Sequence, residues 1–109
     1  MVNSKIGIDE FLRMIEENDF VEAHEVLEDE WKIFKKEEKR LEAKFVQALI
    51  NGATSIALWI KKRPEPSLRV WEVFQRNKHL INEISLENKD KYLNAIILLE
   101  MKFSIKHTL

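Results

Sequence analysis

"FVQALINGATSIALWI", residues 45–60, decides the fold. These sixteen positions carry no charge in a chain that is 34% charged. At about 100° per residue, Phe45, Leu49, Ile56 and Trp59 share one side of a helix, and Ile50, Ala53, Ala57 and Ile60 share another. Gln47, Asn51, Thr54 and Ser55 fill the remaining arc. A helix apolar on two sides is either buried or crosses a membrane. This stretch rises only roughly 24 Å, short of the ~30 Å hydrocarbon core, and its polar residues also argue against lipid. It is therefore expected to be the central helix of a soluble bundle. Solvent faces elsewhere in the chain carry Lys and Glu, and the polar arc carries neither. The arc is expected to meet protein or a small polar cavity.

Four more helical segments surround it, at about 8–17, 20–35, 67–84 and 89–106, with the central helix extending over 38–62. Ile8, Phe11, Leu12 and Ile15 recur at helical spacing in the first. "ND" at 18–19 makes a turn, with Asp19 placed to cap the second helix. "RPEP" at 63–66 ends the central helix, because proline disfavours helix before it and breaks helix interiors. Ser67 is then the expected N-cap of the fourth helix, and "SLEN" at 85–88 is a loop. Two Gly and two Pro leave little material for the turns of an all-β fold. The prediction is an all-α, single-domain bundle of about five helices over 1–109, with 38–62 as its long central helix.

The net charge is −1, with both signs spread along the chain and no basic stripe, so no nucleic-acid partner is expected; with 45–60 too short and too polar to span lipid, no membrane partner is expected either. The absence of cysteine excludes disulfides, thiol catalysis and thiolate metal sites. "MVNSKIGIDEF" lacks the apolar run of a signal peptide, so a cytoplasmic location is expected. The last helix is apolar on two sides: Tyr92, Ile96, Leu99 and Phe103 on one, Leu98, Met101 and Ile105 on the other. Either it is sandwiched in the bundle or one side forms an interface, and a homodimer is expected. The fourth helix has a simple stripe of Val70, Val73, Phe74, Leu80, Ile81 and Ile84, with Asn77 in its middle. His79 lies on the opposite face and His107 near the terminus, so both are poor ligand candidates.

"AHEVLEDEW", residues 23–31, holds the candidate site. Phe20, Leu27, Trp31 and Phe34 form the core stripe of this helix, with His24 at its edge and Glu28 about 40° further out. The spacing His-x-x-x-Glu permits three readings. One is a hydrogen bond or ion pair that satisfies a half-buried histidine. Another is a metal site with imidazole and carboxylate one turn apart. The third is acid–base chemistry with Glu28 orienting the imidazole. "HEVLE" is not His-Glu-x-x-His, because Glu28 stands where the second histidine would be. No Glu-x-x-His, glycine-rich phosphate loop or Gly-x-Ser-x-Gly occurs.

"FVEAHEVLEDEW" at 20–31, followed by "FVQALIN" at 45–51, resembles the bacterial and archaeal domain of unknown function 309. That small helical family carries a His-x-x-x-Glu-x-x-(Trp/Tyr) signature. His24, Glu28 and Trp31 match it, and Phe20, Ala23, Glu25 and Leu27 match its surroundings. Gln47, Leu49 and Ile50 match the Gln-Gly-Leu-Ile-Gln stretch of the next helix, where Ala48 and Asn51 depart. The resemblance covers about 8–84. Where the family often has a histidine and a Gly-Asn, "LWIKKRPEP" stands here. The resemblance implies a shared site at His24 and Glu28, of a kind suggested to hold metal, and no particular reaction.

The expected site is thus the seam where His24, Glu28 and Trp31 face Gln47 and Asn51, with Asn77 less firmly placed. A ring nitrogen of His24 is expected to bond Glu28 or a polar group of the central helix. The leading function is a small helical protein binding a divalent metal, Zn or Mn through His24 and Glu28, or a small molecule. The alternative is a structural or homodimeric interaction module in which the polar cluster only fixes helix packing. A hydrolase using His24 as base lacks a nucleophile and a complete metal site, and whether the chain is an enzyme stays open.

Overall fold

A computed structural model describes residues 4–109, with side chains from Gly7 onward. The helices are α1 (Ser4–Glu16), α2 (Phe20–Val26), α3 (Glu28–Lys36), α4 (Arg40–Ile60), α5 (Pro64–Asn77) and α6 (Lys89–Ser104). Short 3₁₀ turns follow α5 at Lys78–Asn82 and α6 at Lys106–Thr108. Every expected helical segment is present, and no strand occurs among the described residues. The second expected helix is interrupted at Leu27, which stays right-handed but at a slackened φ of −92° and ψ of −3°, so it forms both α2 and α3.

Helix α4 is central. Phe45, Val46, Leu49, Ala53 and Ile56 are fully buried, and α2, α3 and α5 all pack along it. It is long and apolar enough to cross a membrane, but 61% of its most apolar window is buried inside the molecule, as a core helix requires. Gly52 matters here because a Cβ would lie 2.9 Å from Leu99 Cδ1 and 3.4 Å from the Phe74 ring. Its missing side chain lets α5 and α6 close on α4.

Three of the connections share one design. Asn18, Glu38 and Lys62 end α1, α3 and α4 in the left-handed region, at φ of 65°, 60° and 64°. The next amide then reaches back five residues: Asp19 to the Met14 carbonyl at 2.8 Å, Lys39 to Phe34 at 2.8 Å, and Arg63 to Leu58 at 3.0 Å. These are Schellman closures. In each case the donor is also the N-cap residue of the following helix, so only three residues separate one helix from the next.

Two expected boundaries change. Helix α5 starts at Pro64 rather than after Ser67, since proline is suited to the first helical turn, where its missing N–H has no partner to lose. Ser67 is therefore not a cap. It is buried and exchanges hydrogen bonds with Ser55: Ser55 Oγ donates to the Ser67 carbonyl at 2.7 Å, and Ser67 Oγ to the Ser55 carbonyl at 2.7 Å. The α-helix also ends at Asn77, and Leu80 and Ile81 reach the core from a 3₁₀ turn.

Helix α6 buries only one of its two apolar sides, through Tyr92, Ala95, Ile96 and Leu99. Its ends are tied to α1 by Lys91 Nζ on Asp9 Oδ1 at 2.6 Å, and by Lys102 Nζ on Asn18 Oδ1 at 2.8 Å. Leu93, Ile97, Met101 and Ile105 stay exposed, Ile97 by 64%.

Candidate functional site

His24 sits near the end of α2 and Glu28 opens α3, with the Leu27 break between them. An unbroken helix stacks side chains four residues apart. Here His24 Nε2 and Glu28 Oε1 are 4.0 Å apart, too far for a hydrogen bond, and both side chains are partly exposed. No other hydrogen bond to His24 occurs among the described residues, so the expected ring-nitrogen bond is not formed.

The polar arc of α4 is largely self-satisfied. Gln47 Nε2 donates to Asn51 Oδ1 at 3.2 Å, and Thr54 Oγ1 donates to the Ile50 carbonyl at 2.9 Å. Ser55 leaves the arc to lock α5. Gln47, Asn51 and Thr54 are half-buried, as a surface facing protein or a cavity should be.

That cavity is a cleft of about 530 Å³ between α3 and α4. Trp31 and Gln47 line it, Ala43 is buried beneath it, and Lys35, Glu38, Arg40 and Lys44 rim it. Trp31 packs against the core, as its place in the stripe requires, but is only half-buried, and its remaining face walls the cleft, with Lys35 Nζ 4.7 Å from its ring centroid. The cleft joins Trp31 to Gln47, whereas His24, Glu28 and Asn51 do not line it. Asn77 is half-buried at the end of α5 and makes no side-chain hydrogen bond among the described residues.

No group of three or more His, Cys, Asp or Glu side chains able to hold a metal occurs among the described residues. His24 and Glu28 offer two ligands at most, against the three or four protein ligands of a zinc site. The expected Zn or Mn site therefore finds no support in the donor set. His79 is exposed 3.8 Å from Glu83, and His107 packs edge-on against Trp59 with centroids 5.2 Å apart.

Glu30 escaped the sequence reading. It is only 3% exposed. Its Oε1 accepts a 2.5 Å hydrogen bond from the Tyr92 hydroxyl of α6, while Oε2 has no partner among the described residues. A Cβ at Gly7 of α1 would lie 2.7 Å from Oε2. Burial pushes the Glu30 carboxyl up to about 7, opposed by the Tyr92 hydrogen bond. An unbroken helical wheel sets Glu30 beside the stripe, and the break at Leu27 invalidates phase angles carried across it. Nothing in a chain with 19 acidic residues marks this one.

Residues 8–71 match the family model described as Domain of unknown function (DUF309), which is more than half of the chain. The chain belongs to the DUF309 family. The match spans α1–α4 and the start of α5, so the DUF309 region contains His24, Glu28, Trp31 and the whole α3–α4 cleft, and α6 lies outside it. No curated protein and no solved structure matches.

Proposed function

We propose that this DUF309 protein binds a small organic anion in the α3–α4 cleft. One observation carries the reading: an aromatic wall, Trp31, and a side-chain amide, Gln47, converge on a cleft rimmed by three cations and one carboxylate. Pockets of 300–1,000 Å³ with a few convergent polar groups are the usual form of small-ligand sites. Trp31 supplies a flat apolar face, Gln47 a donor and an acceptor, and Arg40 a planar fork for carboxylate or phosphate. Asn51 acts on the cleft only through its hydrogen bond to Gln47, and His24 and Glu28 stand outside it.

Nuclear magnetic resonance of the full chain tests this with benzoate and its neutral relative benzamide. Benzoate should shift the Trp31 indole and Gln47 side-chain amide resonances more than benzamide does, and Arg40→Glu should weaken the response. If neither probe moves either resonance, the cleft is not a ligand site. Zn²⁺ or Mn²⁺ at His24 and Glu28 would need further ligands from outside the pair. A rise in melting temperature with either ion, abolished by His24→Ala, would favour metal over an organic anion.

A second reading, a homodimeric interaction module, is favoured by the uncovered stripe of Leu93, Ile97 and Met101. It borders a groove of about 510 Å³ between α1 and α6, whose lining is half apolar, through residues such as Ile97 and Met101, and half polar, through residues such as Arg13 and Glu16. The two readings use different faces and can both hold.

A further inference from the structure

We propose that the end of the molecule formed by the α4–α5 turn and the C-terminal 3₁₀ turn docks on an anionic lipid surface. Lys61, Lys62 and Arg63 are consecutive and exposed. They are held by the left-handed Lys62 and the bond from the Arg63 amide to the Leu58 carbonyl, so they stand on a rigid corner. The fold brings Lys106 to the same end through an aromatic stack. Trp71 lies parallel on Phe103, with centroids 3.8 Å apart and planes at 3°. Lys106 Nζ sits between the Phe103 ring at 4.1 Å and the Trp59 ring at 4.5 Å.

None of these four cations has a carboxylate within 4.0 Å among the described residues. Glu65 is the only acidic residue between 61 and 68. Exposed aliphatics share this end: Ile60 at 42% and Ile105 at 42% each adjoin a cation in sequence, and Leu68 at 48% lies one turn into α5. Cations beside uncovered apolar side chains match an anionic bilayer interface, where headgroups take the charge and the acyl boundary takes the aliphatic groups.

A nucleic acid fits less well. Proteins that bind single strands offer free aromatic faces for bases, whereas Trp59 is covered by Lys106 and edged by His107. Aliphatic side chains also gain nothing from a phosphate backbone. The expectation of no membrane partner rested on the lack of a spanning segment and of a basic stripe. The fold brings Lys106 beside the run at 61–63, which is continuous in the sequence, and so widens that run into a basic end.

Co-sedimentation of the full chain with vesicles tests the proposal. Vesicles of equal parts phosphatidylcholine and phosphatidylglycerol should retain the protein at low salt, release it as salt rises, and outdo phosphatidylcholine alone. Each cation near the surface contributes about fivefold in affinity, so replacing Lys61, Lys62 and Arg63 by serine should weaken binding on the order of a hundredfold. Lys62→Glu, a single change at an exposed site, should weaken it in the same direction. Ile60→Ser should also lower binding. No retention by the mixed vesicles, or unchanged retention of both charge variants, would overturn the proposal. So would retention indifferent to Ile60→Ser and lost to a competing single-stranded oligonucleotide, which would make the partner a nucleic acid.

Discussion

Glu30 is a buried carboxyl whose ionisation is coupled to folding. Its carboxyl is neutral when protonated and costly to ionise where it lies, so its folded pKa of about 7 stands above the ordinary 4.5. The folded state therefore holds this proton more tightly than the unfolded chain. Stability from this group is fully present below pH 4.5, declines as pH rises toward 7, and is constant beyond. The loss amounts to roughly 3 kcal/mol. Glu30→Gln keeps an acceptor for Tyr92 and cannot ionise. Relative to wild type, its melting temperature should climb between pH 5 and 7 and level off by pH 8, and a pH-independent difference would exclude Glu30 as the titrating group. Glu10 works in the opposite sense, because the Arg13 guanidinium hydrogen-bonded to it lowers its pKa. The comparison must for that reason be with the variant rather than with wild type alone. Little of this was legible beforehand. His24, Glu28 and Trp31 stood out by residue type and spacing, but side-chain direction beyond Leu27 depends on a backbone break that spacing does not reveal.

At the scale of elements, the helices were legible because each buries a periodic stripe, and Ile8, Phe11 and Ile15 of α1 are completely buried as their spacing required. The turns were less so. Helix C-termini usually rely on glycine for a left-handed residue, yet both glycines of this chain lie inside helices. Asn18 tolerates that conformation better than Glu38 or Lys62. A non-glycine residue there loses about 1–2 kcal/mol, of which glycine's extra freedom in the unfolded chain returns about 0.5–1. Glu38→Gly and Lys62→Gly should each stabilise the protein by about 0.5–1 kcal/mol, and Asn18→Gly by less. Thermal unfolding measures this directly, and a loss of stability in both would show that these turns are not strained. The start of α5 was misplaced for a related reason. Pro64 reads as a breaker of the helix before it and serves as the opener of the helix after it.

At the scale of the whole molecule, the apolar pattern of α6 shows more apolar surface than one core can cover, but not which side is left out. Leu93, Ile97 and Met101, spaced four residues apart, form an uncovered line between the two ties to α1. One helix carrying one stripe is suited to an isologous pair around a twofold axis. Sedimentation at micromolar concentration should then give twice the chain mass, and Ile97→Glu should return it to a monomer without loss of helicity. A monomeric wild type would leave the stripe without this role. The core has a different consequence, set by the reciprocal Ser55–Ser67 bonds. They close a short stretch of chain between α4 and α5, the most extensively packed pair of helices. Contacts close in sequence form quickly, because little loop entropy is lost in making them. The α4–α5 hairpin is thus expected to form early in folding, and α1 and α6, joined to each other from opposite ends of the chain, to dock later. In native-state hydrogen exchange, the amides around Ile50–Ile56 should be the slowest to open, and those of α6 should exchange well before them.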